Sequence, residues 1–221
     1  MGYKHRLNLA EIEKSLRSVQ AQFHKINAKL QSRRDPLEDC IIDNMMAGYA
    51  FVDEMLADGV NLFKAKNVEK LLEINHLVLC GSMETVRKEH AKHISYTAER
   101  FYHQPDFNIH NILAWVKKNR KKSKWHLCAG IYIRLLSQPQ LFFEGNHRSG
   151  ALFMSYLLSR QGTSPFVLSV DNALAYFDPS TVVKESKQSV YTQLIKLPRI
   201  EKYFVKFLKS QSQNNYLKKK V

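Results

Sequence analysis

The chain has 221 residues, 44% of them hydrophobic, which is enough for one packed domain with room for a helical extension. No apolar run approaches the ~18 residues of a membrane span, and the first residues lack the apolar core of a secretory signal. A membrane-spanning or secreted protein is therefore not expected. Three widely spaced cysteines, Cys40, Cys80 and Cys128, favour reduced and mostly buried thiols in a cytoplasmic protein.

The formal net charge of +14 comes entirely from the second half of the chain. Residues 1–110 carry 15 basic and 15 acidic side chains, whereas residues 111–221 carry 19 basic and 5 acidic ones. A positive field of this kind attracts nucleotides, nucleic acids or acidic protein surfaces. Surface charge also serves solubility alone, so the imbalance by itself does not select a partner.

The first predicted element is an amphipathic helix over residues 8–31. Its apolar residues recur every three or four positions and form a single seam. The seam consists of Ile12, Leu16, Val19, Phe23, Ile26 and Leu30. We treat residues 1–34 as an N-terminal helical arm, which packs either on the main domain or on a second subunit to form a homo-oligomer.

Further helices are predicted along the middle of the chain. Asp35-Pro36 begins the second helix, and a third runs from Asn67 to Cys80. Residues 87–104 contain neither glycine nor proline, and their composition suits a helix and an irregular lid equally well. Helices are also predicted for residues 108–120 and 124–137.

Six positive charges lie between Trp115 and Trp125, where the first of the last two predicted helices ends and the second begins. Such a run is typical of a solvated helix end. A basic segment flanked by aromatic residues also binds single-stranded nucleic acid in some proteins. Both interpretations remain open from the sequence.

The most informative stretch runs from Pro139 to Gly162 and reads PQLFFEGNHRSGALFMSYLLSRQG. A polar loop begins at Glu144, and an amphipathic helix follows it until Gly162, a residue suited to a helix end. The free amides and the dipole of a helix start attract anions. The loop is preceded by a compact apolar anchor formed by Leu141, Phe142 and Phe143.

Two charged residues of this loop suggest a chemistry. Glu144 suits a hard cation such as Mg²⁺, and Arg148 suits a phosphate group. A carboxylate, an arginine and the amides of a helix start together predict phosphoryl chemistry on a nucleotide.

At these residues the chain resembles the Fic (Fido) family, whose motif reads HxFx(D/E)GNGRxxR. Gln140 stands at the position of the catalytic histidine, His147 at the second glycine and Ala151 at the second arginine. The matching residues are Phe142, Glu144, Gly145, Asn146 and Arg148.

The resemblance implies a mostly α fold, a Fic-like helical bundle around the motif helix. A small flap in residues 87–104 is a possible addition, since Fic enzymes use one to grip a target segment. The Fic-like domain is expected over residues 35–210, and residues 211–221 are expected to form a frayed basic C-terminal tail.

The resemblance also implies an activity, the transfer of AMP from ATP to a Ser, Thr or Tyr hydroxyl of a target protein. Glu144 would bind Mg²⁺, and Arg148 would bind phosphate. Gly145, Asn146 and the amide of His147 would form the anion hole. The alternative is a catalytically disarmed binding module that holds a nucleotide or a protein partner, and nucleic-acid binding through the basic half is a third hypothesis.

The catalytic base is the weak point of this expectation. Gln140 cannot act as a base, because an amide does not titrate in the useful range. His147 is the only imidazole in the motif and is a candidate substitute, since a helix start is expected to lower its pKa and favour the neutral form.

After the motif helix, a short helix is predicted to carry Tyr176 and Phe177 and to end before Asp178-Pro179. Asn172 and Tyr176 are candidates for the base pocket by position in the Fic resemblance alone. A capping asparagine and a core tyrosine account for them equally well. The last predicted helix has apolar residues from Leu194 to Leu208 at helical spacing, interrupted by Pro198.

Overall fold

The computed structural model describes residues 5–185, 197–211 and 216–219, and for Lys219 it describes the backbone alone. The described residues are mostly helical, as the sequence predicts, and a short 3-10 turn occupies Ala65–Asn67. No helix within these ranges is long and apolar enough to cross a membrane. In chain order the elements are β1 (His5–Leu7), α1 (Leu9–Asn27), α2 (Asp39–Ala57), α3 (Glu69–Cys80), α4 (Glu84–Glu89), α5 (Ala91–His103), α6 (Ile109–Asn119), α7 (Lys124–Leu136), α8 (Asn146–Arg160), α9 (Ala173–Lys184), α10 (Leu197–Ser210) and β2 (Leu217–Lys219).

Helix α8, which contains the motif, lies at the centre of the bundle, and 12 of its 15 residues are buried. It packs against α2, α3 and α7. Small residues permit this close packing, because a Cβ atom at Gly150 would lie 2.6 Å from the ring of Tyr132. A helix that is buried on nearly all sides needs neighbouring elements to cover each side. The bundle is therefore organised around the motif helix.

The six seam residues of the first helix are all buried within the chain. Helix α1 packs against α2 and α9 and shares one hydrophobic core with them. The interpretation in which this seam packs on its own domain is confirmed. A homo-oligomer through the same seam loses its basis, because the apolar surface is already covered.

The segment expected to hold a flap is helical. Residues 87–104 lie in α4 and α5, and they form no strand. Helix α5 buries Thr97 and Phe101, and the Phe101 ring stacks on Phe142 with centroids 5.6 Å apart. Packing therefore holds this helical segment against the motif loop.

Helix α9 continues through Pro179 to Lys184, whereas the sequence predicted its end before Asp178. Proline has no backbone N–H, so the carbonyl of Ala175, four residues earlier, loses its usual donor. The hydroxyl of Tyr203 on α10 donates to that carbonyl across 2.8 Å. A tertiary hydrogen bond thus replaces the missing helical one, and the helix is not interrupted.

The C-terminal part also departs from the prediction. Pro198 does not interrupt α10 but lies in its first turn, where a missing N–H is tolerated. Residues 217–219 are not frayed, because β2 pairs antiparallel with β1. Residues 212–215, 220 and 221 of the predicted tail, with Leu194 and Ile195 of the predicted helix, lie outside the described residues.

An ion pair between the half-exposed Arg6 and the buried Asp53 holds the N-terminal strand in place. Asp53 on α2 is 5% exposed, and it accepts from the Arg6 guanidinium and from the backbone N–H of Leu7. The carboxylate thus has charged and neutral donors together, the arrangement that makes a buried acid tolerable. Through β1, the same contact fixes β2 against α2.

Candidate functional site

The loop before α8 is anchored by two of the three predicted apolar residues. Leu141 and Phe142 are fully buried, whereas Phe143 is 50% exposed. The guanidinium of Arg100 lies over the Phe143 ring, 4.8 Å from its centroid. The anchor is therefore Leu141 and Phe142, and Phe143 belongs to the surface.

Asn146 closes this loop with its own side chain. Its Oδ1 accepts from the backbone N–H of Phe142 at 3.0 Å, and its Nδ2 donates to the Phe142 carbonyl at 2.8 Å. Nδ2 also reaches Oε1 of Gln140 at 3.3 Å. The amide predicted to help bind phosphate is thus engaged in holding the loop.

Gln140 has a structural role as well. Its Nε2 donates to the Leu136 carbonyl at 3.0 Å, and its backbone carbonyl accepts two hydrogen bonds from Arg100. The side chain that stands at the position of the motif histidine ties the loop to the end of α7.

Gly145 makes the sharp turn into α8 in a conformation with φ of +71°. A Cβ atom there would lie 2.9 Å from Nδ2 of Asn75 and 3.2 Å from Val78. The same Asn75 amide donates to the carbonyl of Glu144 at 2.9 Å. Glycine is needed here both for the left-handed backbone and for the close approach of α3.

The helix start offers backbone donors, as predicted. The first hydrogen bond of the ladder joins the Ser149 N–H to the Gly145 carbonyl at 2.8 Å. The amides of Asn146, His147 and Arg148 therefore have no acceptor inside the helix. These donors make the start of α8 attractive to an anion, although every helix has them.

Arg148 is only partly available to a ligand. Its Nη1 donates to the carbonyl of Val78 near the end of α3, and burial lowers the pKa of its guanidinium. The nearby Glu144 carboxylate opposes that shift. The arginine predicted to clamp phosphate therefore also stabilises the contact between α3 and α8.

Glu144, the predicted Mg²⁺ ligand, has an exposed side chain. In the part of the chain that the structure describes, no three His, Cys, Asp or Glu side chains come together as a metal site. Magnesium requires about six oxygen ligands in octahedral geometry. The residues present therefore do not form a Mg²⁺ site of their own.

A cavity of about 270 Å³ lies beside the start of α8. It is lined by α1, by the segment before α2, by α2, by the first residues of α8 and by residues between Phe166 and Phe177. Its polar lining includes Arg34, His147 and Arg148, and its apolar lining includes Val19, Phe23, Met45, Tyr49, Phe166 and Phe177.

Arg34 is the cationic residue of this cavity that the sequence analysis missed. Its guanidinium lies over the Phe177 ring, 4.4 Å from the centroid, and Nη2 donates to Thr181 at 3.0 Å. Its Nε atom is buried and has no hydrogen-bond partner among the described residues. Arg34 stands in a connecting segment without a recognisable motif, so only the fold reveals it.

The hydrogen bonds around His147 assign its tautomer. The Ser180 hydroxyl donates to the Tyr176 carbonyl, so Ser180 Oγ must accept the proton of Tyr132 at 2.6 Å. The Tyr132 oxygen is then the acceptor for Nδ1–H of His147 at 3.3 Å. The neutral imidazole therefore has its proton on Nδ1 and a lone pair on Nε2.

Nε2 of His147 is buried and lacks a hydrogen-bond partner within the described residues. The pKa of His147 is lowered to about 3, first by burial and then by the positive charges of Arg34 and Lys184. The neutral form expected from the sequence is therefore favoured, but burial rather than the helix start is the main cause. At neutral pH, His147 presents a hydrogen-bond acceptor.

Of the two residues proposed for a base pocket, one lines the cavity and the other does not. Tyr176 lines the cavity, and its hydroxyl donates to the His147 carbonyl at 3.0 Å. Asn172 is 2% exposed, and its amide bonds to the backbone of Ser169 and Val167. Asn172 is thus a structural residue outside the lining, whereas Tyr176 supports the site.

No protein-family model, no curated protein and no solved structure matches the chain. The resemblance to the Fic family thus rests on the motif residues from Phe142 to Arg148.

Proposed function

We propose that this chain is a binding module with a Fic-like motif, which holds a small nucleotide in the cavity beside α8 without transferring AMP. The observation that carries the proposal is that two residues lining one cavity, Arg34 and His147, each hold a buried nitrogen, Nε and Nε2, without a hydrogen-bond partner in the described residues. Leaving a buried polar group unpaired costs about 1–3 kcal/mol, so a ligand that pairs with both gains affinity.

The cavity supports a ligand with an aromatic part and an anionic part. Its aromatic lining provides surfaces for a planar ring. Arg34 and Arg148 provide two positive charges, against the single negative charge of Asp35 in the same lining. The free amides at the start of α8 lie on the same wall. A nucleotide combines these features, with a base for the aromatic side and a phosphate for the cationic side.

The size of the cavity favours the smaller nucleotides. Its volume of about 270 Å³ lies just below the ~300–1,000 Å³ typical of small-molecule sites. A nucleoside monophosphate is therefore a better fit than a triphosphate, whose tail would extend outside. We expect AMP or another nucleoside monophosphate to bind at least as tightly as ATP.

Three observations argue against AMP transfer. Gln140 is hydrogen-bonded into the loop, and Asn146 is engaged with Phe142. A histidine with a pKa of about 3 accepts protons poorly at neutral pH, since an efficient general base has a pKa near the working pH.

The binding proposal is tested by thermal unfolding with AMP, ADP and ATP, each with and without Mg²⁺. A ligand that binds only the folded state at 100 times its Kd adds about 2.7 kcal/mol of stability. We expect a rise in Tm with AMP that does not require Mg²⁺. Arg34→Gln should abolish most of it, and Arg33→Gln, which changes an exposed neighbour, should leave it intact.

Equal shifts in the Arg34→Gln and Arg33→Gln variants would contradict the assignment of the cavity. The absence of any shift with millimolar nucleotide would contradict nucleotide binding altogether.

A second candidate function, AMP transfer with His147 as the base, is favoured by one observation. The Nδ1–H tautomer leaves the lone pair of His147 on Nε2, the nitrogen without a partner among the described residues. A bound phosphate would raise the pKa of His147 and improve it as a base. Intact-mass analysis with ATP, Mg²⁺ and lysate proteins tests this function. In the transfer, the base takes the hydroxyl proton, the hydroxyl oxygen bonds to the α-phosphorus of ATP, and pyrophosphate leaves, so the target gains the mass of one AMP group.

If His147 is the base, His147→Asn should abolish transfer while nucleotide binding persists. Asn keeps a donor for Tyr132 but removes the Nε2 lone pair. A wild-type chain that transfers AMP as fast as its His147→Asn variant would exclude His147 from that role.

A further inference from the structure

The acidic residues of the second half of the chain are unevenly spaced. No Asp or Glu occurs between Asp106 and Glu144, and none occurs after Glu201. These two acid-free stretches contain the turn between α6 and α7 and most of α10. Positive charge in them has few acidic side chains nearby in sequence to neutralise it.

The fold brings the two stretches together. Four basic side chains are exposed at this end of α6, Lys117 and Lys118 on the helix and Arg120 and Lys121 in the turn that follows it. Within the described residues none of the four forms an ion pair. Lys122 in the same turn lies 3.8 Å from Glu201 on α10. The start of α10 is therefore beside the turn.

On α10, three exposed basic residues follow each other at helical spacing. Arg199, Lys202 and Lys206 are separated by three and four positions, so they lie on one side of the helix. The side of α10 that carries Phe204, Phe207 and Leu208 is buried. We call Lys117, Lys118, Arg120, Lys121, Arg199, Lys202 and Lys206 together the basic face.

We propose that the basic face binds the phosphate backbone of double-stranded nucleic acid without reading its sequence. The proposal is independent of the nucleotide cavity, which none of these seven residues lines. A duplex presents one phosphate charge per about 1.7 Å of its axis, and lysines and arginines that neutralise phosphates release counterions on binding.

Single strands fit the face less well, which changes the interpretation of the two tryptophans. The Trp115 ring lies under the Arg134 guanidinium, 4.1 Å away, and its edge is packed so tightly that a Cβ at Gly130 would lie 2.2 Å from it. Trp125 is only partly exposed and has Lys124 Nζ 5.2 Å from its centroid. Bases of a single strand need open aromatic faces on which to stack.

An anionic membrane also fits less well. Surface-bound proteins insert large apolar side chains beside their lysines. In the described residues, the exposed large hydrophobic side chains are Met83, Tyr96, Phe143 and Tyr203, and Tyr203 is the one on α10. Its hydroxyl is bonded to Ala175, so it lies along the protein and does not project from it.

Fluorescence anisotropy with a labelled duplex of about 20 base pairs, measured between ~50 and ~200 mM salt, tests the proposal. Contacts by four to seven basic residues predict a slope of log K against log salt of about −4 to −6. A variant with four substitutions, Lys117→Gln, Lys118→Gln, Arg120→Gln and Lys121→Gln, should bind the duplex at least ten times more weakly than the wild type. Its slope should be smaller in magnitude by about 3–4.

A matched variant removes the same charge elsewhere. Lys25→Gln, Lys29→Gln, Lys66→Gln and Lys92→Gln change four exposed lysines outside the basic face. This variant should keep most of the duplex affinity, and both variants should unfold at the wild-type temperature.

Equal losses in the two variants would overturn the proposal, because net charge and not the face would then be responsible. Tighter binding of a single strand of the same length would overturn it in favour of stacking. Binding to vesicles with anionic lipid but not to the duplex would assign the face to a membrane surface.

Discussion

The two sides of the start of α8 differ in how they use their polar groups. On the loop side, the amides of Gln140 and Asn146 are hydrogen-bonded within the loop and to α7. On the cavity side, Arg34 and His147 each keep one buried nitrogen without a partner in the described residues. Asn146, a matching motif residue, thus holds the loop, whereas His147, at an unmatched position of the motif, keeps its unpaired nitrogen on the cavity side.

This difference indicates where a ligand belongs. A saturated network holds one conformation and gains little from a ligand, whereas an unpaired buried nitrogen is satisfied by water or by a ligand group. The cavity of about 270 Å³ that Arg34 and His147 line has room for water or for a ligand. Substitutions on the two sides test this contrast.

The largest effect is expected on the loop side. Asn146→Ala removes both hydrogen bonds to the Phe142 backbone and leaves that buried backbone unpaired, so the free energy of unfolding should fall by about 3 kcal/mol. Asn146→Asp keeps the side-chain acceptor, so its free energy of unfolding should fall by a smaller amount. Urea denaturation measures both, and a loss below about 1 kcal/mol for Asn146→Ala would show that the loop does not depend on this amide.

The next effect concerns acid stability on the cavity side. The unfolded chain protonates His147 near pH 6.5, whereas the folded chain does so only near its pKa of about 3. The unfolded state therefore binds more protons between these values, and stability falls as the pH is lowered through this window. Lowering the pH from 7 to 5 should cost the wild type up to about 2 kcal/mol through this residue.

The variant His147→Asn removes that titration and keeps a donor for Tyr132. Its stability should decline less than that of the wild type between pH 7 and pH 5. His24→Asn, a change of an exposed histidine on α1, is the control. Parallel pH profiles for the wild type and His147→Asn would contradict the buried neutral imidazole.

A smaller effect is expected when the motif pattern is restored. Gln140→His removes the hydrogen bond to Leu136 and the contact with Asn146, which should cost about 1 kcal/mol. Position 140 is not part of the cavity lining, so we expect no AMP transfer from this variant. Protein-linked AMP in its intact mass would show that the loop is a working catalytic site that lacks only its base.

The smallest effect is expected at Glu144. The side chain is exposed, so Glu144→Ala should change stability by less than about 0.5 kcal/mol and leave AMP binding unaltered with or without Mg²⁺. Titration calorimetry compares the two proteins directly. A Mg²⁺-dependent loss of affinity in the variant would restore Glu144 as a metal ligand.

The helices were predictable from the sequence where their periodicity was strong. The seam of α1 and the glycine at position 162, which has φ of +69°, follow from spacing and from backbone chemistry. The continuation of α9 through Pro179 could not be predicted from the sequence. The donor that compensates for the missing proline N–H is the hydroxyl of Tyr203, 24 residues further along the chain. Tertiary contacts of this kind leave no local signal.

The candidate site was predictable only in part. The motif drew attention to His147 and Arg148, which both line the cavity. Arg34 was missed, because it enters the site through the packing of α1 and α9 and not through a motif. The lowered pKa of His147 was expected, but its main cause is burial, which depends on the whole fold.

The most direct test of the account is the NMR signal of the His147 side chain, identified among the nine histidines by its loss in His147→Asn. At pH 7 we predict a neutral ring with the proton on Nδ1. We also predict that AMP shifts the Nε2 resonance in the wild type but not in Arg34→Gln. A protonated ring, a proton on Nε2, or a resonance unaffected by millimolar AMP would contradict the claim that Arg34 and His147 form a ligand site.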